Sequence, residues 1–322
     1  MATDTLNLTT IAKQFADEEA AWLFLEETRW PDGPVCPHCG GVNHAYYLAP
    51  KSGARSTRTG KVSYRRLWKC GDCRQQFSVL VGTVFEDSKI PVSKWILASH
   101  LLSAGKNCVS ALELSRTLGI GYRAAWFMAH RIRYAMTRPP LADKLSGTVE
   151  ADETYIGGRA HGKRGRGAAN KTPVVTLIER DGEARSQVML NVTGANIGKV
   201  LHEQVAQEAV IMTDTLGVYK PAAKDFAAHE TVDHGRDEYA KDSPHGRAHI
   251  NTAEGYFSQL KRSIDGTHHH VSAKHLHRYL SEFDYRYNTR TVKDGERTVT
   301  TIRQATGRRL LYREPVQRAQ EA

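Results

Sequence analysis

Three carboxylates and four thiols are the residues best placed for chemistry in this 322-residue chain. Asp152 sits in an alternating stretch, Thr148-Val-Glu-Ala-Asp-Glu-Thr-Tyr-Ile156, and Asp214 ends the apolar run Ala209-Val-Ile-Met-Thr213. Glu254 belongs to a stretch of helical spacing, residues 251–264, in which Lys261 lies two turns further along nearly the same face. A carboxylate at the end of an apolar strand is costly unless a cation pairs with it. Were the three to converge at one end of a sheet, they would make an all-oxygen site for two hard divalent cations, Mg2+ or Mn2+. Such a site activates a hydroxyl and stabilises a leaving oxygen in metal-assisted phosphoryl transfer. Glu150 and Glu153 flank Asp152. Alternation puts Glu150 on its face, as a supporting group or a rival ligand, and Glu153 on the other. Each site residue also has an ordinary alternative: Asp214 could cap a turn, Glu254 could face the helix dipole, and Lys261 could be a plain surface lysine.

The thiols form two pairs, Cys36-Pro-His-Cys39 and Cys70-Gly-Asp-Cys73, thirty residues apart. Two C-x-x-C turns set four thiolates at the corners of a tetrahedron suited to structural Zn2+, with Gly40 and Gly71 where the backbone folds back toward the metal. His38 reads as a bystander and Cys108 as a small helix-packing residue. Between the pairs, residues 51–69 carry seven basic side chains and no acidic one. That strip, with Arg58, Lys61, Arg65 and Arg66, is expected to lie along a phosphate backbone, Tyr64 and Trp68 being available for packing or stacking.

The remaining elements position these groups. Residues 8–27 have helical apolar spacing, Thr10 as cap candidate, and an acidic face that favours packing within the protein. Residues 92–103, 110–118 and 122–136 read as three helices. The last two, turning at Gly119-Ile-Gly121, resemble a helix-turn-helix whose second helix would bring Arg123 and Arg131 to DNA. After Pro139-Pro140 the period changes to that of strands: residues 148–156, 173–179 and 186–192, a helix near 197–208, then 209–213. Three strands, a helix and a strand ending in a carboxylate is the order of an RNase H-like domain. Arg164 and Arg166 lie in a glycine-rich basic loop able to grip phosphates. His268-His-His270 reads as a phosphate-facing turn and not a metal site, since zinc already has its thiolates. Residues 279–287 suggest a closing helix.

Composition narrows the classes. With 40% apolar and 25% charged residues the chain is globular, and no apolar run is long enough to span a bilayer. The first residues lack a basic region before an apolar run, so the expected location is the cytoplasm, near the nucleoid. The formal charge is +10, although the first 34 residues hold seven acidic and two basic side chains. That excess points to a polyanion, double-stranded DNA before all.

The stretches Val149–Gly158, Met212–Tyr219, His249–Arg262 and Gly266–Asn288 resemble the DDE transposases of bacterial insertion sequences, specifically the ISXO2-like group. The resemblance covers roughly residues 15–290. It implies an α/β multidomain protein. An N-terminal helix (1–30) would precede a zinc ribbon (31–86), a helix-turn-helix region (88–140), an RNase H-like (retroviral integrase-type) catalytic domain (145–292) and a basic tail (293–322). It implies Asp152, Asp214 and Glu254 as the acidic triad with Lys261 as basic partner, and cleavage at transposon ends followed by joining to target DNA. The expected partners are terminal inverted repeats, target DNA and a second copy of the chain. The rival readings are a DNA-binding regulator with an inactive domain, or a nuclease that never joins.

Overall fold

The computed structural model describes residues 6–51, 55–57, 59–138, 143–158 and 170–313. Arg58, Arg164 and Arg166 lie outside the described residues. The chain divides into two compact units, one from the stretch before Arg138 together with that after Arg290, the other from Arg138–Arg290.

In the first unit the single helix expected over residues 8–27 is two. α1 (Leu8–Gln14) is opened by Asn7, whose side chain accepts from the Thr10 N–H while the Thr10 hydroxyl accepts from the Asn7 N–H. α2 (Glu18–Arg29) is opened by Asp17, which accepts from the Glu19 N–H. A second cap inside a continuous apolar pattern ends one helix and starts another, and Thr10 belongs to the first turn rather than capping it.

Five short strands follow: β1 (Ala45–Tyr47), β2 (Arg55–Ser56), β3 (Val62–Ser63), β4 (Trp68–Cys70) and β5 (Gln76–Phe77). β1, β4 and β5 make one antiparallel sheet, and β2 with β3 forms the hairpin between the cysteine pairs. Glu26 of α2 explains the acidic N-terminal face: it is buried and accepts from Arg66 Nε and Trp68 Nε1, both at 2.8 Å. Glu18 likewise accepts from the N–H and hydroxyl of Ser93. It supplies the cap that Pro91 lacks at the start of α3 (Val92–Ala104).

Helices α4 (Ala111–Leu118) and α5 (Tyr122–Ala135) come next, joined through Gly119 at φ +58°. The Ser115 hydroxyl donates to Ile120 O across that turn. Trp95, Ile96, Leu102, Leu114, Leu118, Met128 and Ile132 bury the apolar stripes of α3–α5.

The second unit holds β6 (Thr148–Ile156), β7 (Thr172–Glu179), β8 (Ala184–Val188), α6 (Gly194–Gln204), β9 (Val210–Asp214), α7 (Tyr219–Ala222), β10 (Ala228–Val232), β11 (Lys241–Ser243), β12 (Gly246–Ala248), α8 (Asn251–Ser263) and α9 (Ala273–Asn288). Its sheet has the order β10-β9-β6-β7-β8; β6, β7 and β8 are antiparallel, while β9 and β10 run parallel to β6. The two-residue period of the strands sorts their side chains to two cores. Val149, Ala151, Val175 and Leu177 meet Ile197, Leu201 and Tyr219 on one face. Val174 and Ile178 meet Tyr256, Phe257, Leu260, Leu280 and Phe283 on the other.

The third strand starts and ends earlier than residues 186–192, and α6 starts earlier than 197 because Thr193 caps it. β10 and the β11–β12 hairpin have no counterpart in the sequence reading. β10 is Ala-His-Glu-Thr-Val, a polar edge strand without apolar alternation.

The stretch read as a basic tail differs most. It begins with α10 (Asp294–Arg303), whose Thr298, Val299 and Ile302 are buried in the first unit, and the Thr298 hydroxyl is 2.9 Å from His100 Nδ1. Threonines carry much of that buried face, so hydrophobic periodicity does not disclose it.

Candidate active site and metal centre

The carboxylate site begins with register. β6 and β9 pair Thr148 with Val210, Val149 with Ile211 and Glu150 with Met212. Two residues beyond the last pair, the same offset sets Asp152 level with Asp214. Both residues are half-buried, Asp152 in the middle of β6 just beyond its pairing with β9 and Asp214 at the end of β9. Asp152 Oδ1 accepts from the Glu153 N–H at 2.8 Å and Asp214 Oδ1 from the Leu216 N–H at 2.9 Å. Each carboxylate is thus held through one oxygen by a nearby backbone N–H. Glu254 stands exposed on the first turn of α8 and is felt at Asp152: burial first, then Glu153, Asp214 and Glu254 push the Asp152 carboxyl up to about 8, against the pull of the Glu153 N–H.

These three residues are gathered but not closed on one another. Among the described residues, only the four cysteines form a group of three or more potential metal ligands lying within 4.8 Å of one another.

The flanking glutamates separate as strand alternation predicts. Glu153, on the opposite face, accepts from the Tyr219 hydroxyl at 2.8 Å. Glu150 is fully buried, and its oxygens accept from Thr252 N, Thr252 Oγ1, Ala253 N and Arg180 Nε. Both of its oxygens are engaged by these donors. His234, just past β10, places Nδ1 3.2 Å from Glu254 Oε1. No spacing rule in the sequence singles out His234 or Arg180, because their partners are remote in the chain.

Lys261 is exposed on α8 and, with Lys171, His269, Tyr155, Ile156 and Gly158, lines a cavity of about 570 Å3. The histidine run divides: the His268 ring packs on Tyr279, and His269 faces that cavity.

The cysteines converge in the first unit. Cys36 Sγ is 3.6 Å from Cys73 Sγ and Cys39 Sγ 3.7 Å from Cys70 Sγ. A tetrahedron of zinc–sulfur bonds near 2.3 Å has edges of about 3.8 Å, so the four residues fit a structural zinc. Gly40 adopts φ +77°, and a Cβ on Gly71 would stand 2.7 Å from the His44 ring, which explains both glycines. His44 and Asp72 pair at 2.5 Å beside the thiols.

The expected DNA contacts separate into two groups. Lys61, Arg65 and Arg123 are exposed. Arg66 and Arg131, expected to meet phosphates, instead have their side chains engaged within the first unit. Arg66 is paired with Glu26 and stacked 4.4 Å from the Tyr47 ring centre. Arg131 lies between Trp95 and Phe127 and donates to Glu86 O, its pKa lowered to about 10 by burial. Aromatic faces hold a guanidinium as well as phosphate does, and one sequence strip supplies both.

Residues 16–76 match the transposase zinc-ribbon domain, and residues 144–288 match the ISXO2-like transposase domain. The chain carries an ISXO2-like transposase domain. Its two family domains mark an insertion-sequence transposase, a class that handles DNA. A protein of Halobacterium salinarum, described as an uncharacterised protein in transposable element ISH50, is 28% identical over 307 residues, which is 90% of this chain and 97% of that protein. No solved structure gives a significant match. Among the described residues no helix is long and apolar enough to cross a membrane.

Proposed function

We propose that the transposase domain is an RNase H-like DDE domain, spanning residues 145–292, that cleaves DNA at transposon ends and joins those ends to a target. The observation that carries this reading is the β6–β9 register, which sets Asp152 level with Asp214 while α8 brings Glu254 to the same electrostatic neighbourhood. The all-oxygen donor set suits Mg2+ or Mn2+, which when bound would supply charge stabilisation on both sides of an in-line displacement. Asp152, Asp214 and Glu254 would hold the ions, and Lys261 would neutralise a phosphate beside the scissile bond. No protein nucleophile is required.

Upstream, residues 31–86 serve as the zinc ribbon and 88–140 as a helix-turn-helix, with Ser110 and Gly119 bounding its first helix. Lys61, Arg65 and Arg123 are the phosphate contacts this reading favours, with Arg58, Arg164 and Arg166 as further candidates outside the described residues. Coupled joining needs both transposon ends held together, so the working form is a dimer or larger assembly.

The test is incubation of the purified protein with labelled DNA carrying the inverted repeats that flank its gene, with and without Mg2+ or Mn2+. Metal-dependent nicking and strand-joined products are expected, and Asp214→Asn should lower the rate at least a hundredfold. Cleavage without joining would make it a nuclease. DNA binding without cleavage would make it a regulator.

A further inference from the structure

Beneath the three carboxylates lies a second layer of contacts. Glu150, Met212 and Thr252 each stand two positions before one of them, Asp152, Asp214 and Glu254 respectively. Arg180 and Glu150 connect all three. Glu150 Oε2 accepts from Thr252 N at 2.9 Å and Ala253 N at 3.1 Å, and Oε1 from Thr252 Oγ1 at 2.9 Å and Arg180 Nε at 3.0 Å. The remaining guanidinium nitrogens of Arg180 donate to Arg247 O and His249 O and touch the sulfur of Met212. Arg180 N also donates to Thr148 O, so the arginine is fixed on β6 at its own backbone.

The first turn of α8 has no cap from its own segment, since Ile250 offers no side-chain acceptor. Glu150 supplies that acceptor from a strand a hundred residues away. A carboxylate with no exposure is retained only where donors surround it, and here the donors come from the turn that bears Glu254.

We propose that Glu150 and Arg180 are positioning residues: a buried clamp, one layer below the active site, that sets Glu254 against Asp152 and Asp214. This rests on the DDE reading above. Both oxygens of Glu150 and the side-chain nitrogens of Arg180 are engaged, so the pair ties β6 to the first turn of α8 and to the stretch that leads into it. Without it α8 could shift along the sheet, and a displacement near 1 Å at one ligand is enough to lose a metal site or a rate.

The variants are Glu150→Gln, which turns an amide NH2 toward a ring of donors, and Arg180→Lys, which keeps the charge but removes the fork. The readouts are Mn2+ bound per chain by electron paramagnetic resonance, the Mn2+ half-saturation and plateau of DNA cleavage, and the thermal melt. The clamp predicts folded protein at 25 °C, an Mn2+ affinity ten- to a hundredfold weaker, a lower cleavage plateau and an unchanged KM for DNA. Folded variants that bind Mn2+ and cut within twofold of wild type would overturn it, as would a loss that follows only the unfolded fraction. Should Glu150→Gln not fold, Arg180→Lys decides; should neither fold, the pair is a folding determinant and the positioning role falls. Asp214→Asn runs alongside. If it too binds and cuts normally, the DDE reading itself fails; if it is dead while both clamp variants are normal, only the clamp fails.

Discussion

Arg123 and Arg131 share one helix and meet opposite environments. Arg123 is exposed on the first turn of α5, whereas Arg131 is 5% exposed and enclosed by Trp95 and Phe127. Arg123→Ala should weaken DNA binding and reduce its salt slope by about 1. Arg131→Ala should leave the slope unchanged and lower the melting temperature, by a stability loss of about 2 kcal/mol. Binding isotherms at several salt concentrations, with thermal melts, separate the two. Asp284 gives a pH signature. It is half-buried on α9 and accepts from Ser186 N, Ser186 Oγ and the Tyr256 hydroxyl, yet desolvation outweighs those donors and raises its carboxyl from 3.8 to about 6. A raised acid holds its proton more tightly in the folded state. The stability it contributes is complete below about pH 4 and lost as pH rises through about 6, at most about 3 kcal/mol. Chemical denaturation from pH 4 to 7 should show that decline, and Asp284→Asn should make it shallower, the remainder belonging to Asp152, whose carboxyl is raised further.

At the level of elements, what the sequence discloses depends on whether an element's partners are local. β6 is legible to the residue, because nine alternating positions bury two faces against different helices. Both cysteine knuckles are legible because ligand spacing is itself local. β10 and α10 are not, since a polar edge strand and a threonine-faced helix owe their burial to distant neighbours. The same distinction governs the site. Asp152, Asp214 and Glu254 could be picked out on two strands and a helix, while Arg180 acts on residues 30 to 69 positions away and His234 on one 20 positions on across a turn and a hairpin, where no period connects them. The ribbon carries its own prediction. Its strands are two or three residues long, too short to stand without the metal. One zinc per chain should be released by a thiol-reactive mercurial, and Cys73→Ser should lower zinc content and unfold the ribbon, seen as lost protection of the Cys70 and Gly71 amides in hydrogen exchange.

For the whole molecule, a formal charge of +10 and two transposase domains describe a protein that acts on DNA. Its first unit includes residues from both sides of the transposase domain, because α10 joins the helices that precede it. The proposed reaction turns on a narrower point, that Asp152, Asp214 and Glu254 would hold the same divalent cations. The direct measurement is a crystal structure with terminal-repeat DNA and Ca2+ in place of Mg2+. An oxygen of each of the three residues is expected within about 2.6 Å of a bound ion, with a DNA phosphate completing the shell. Ions bound through other carboxylates, or any one of the three left outside the coordination shell with DNA in place, would contradict it.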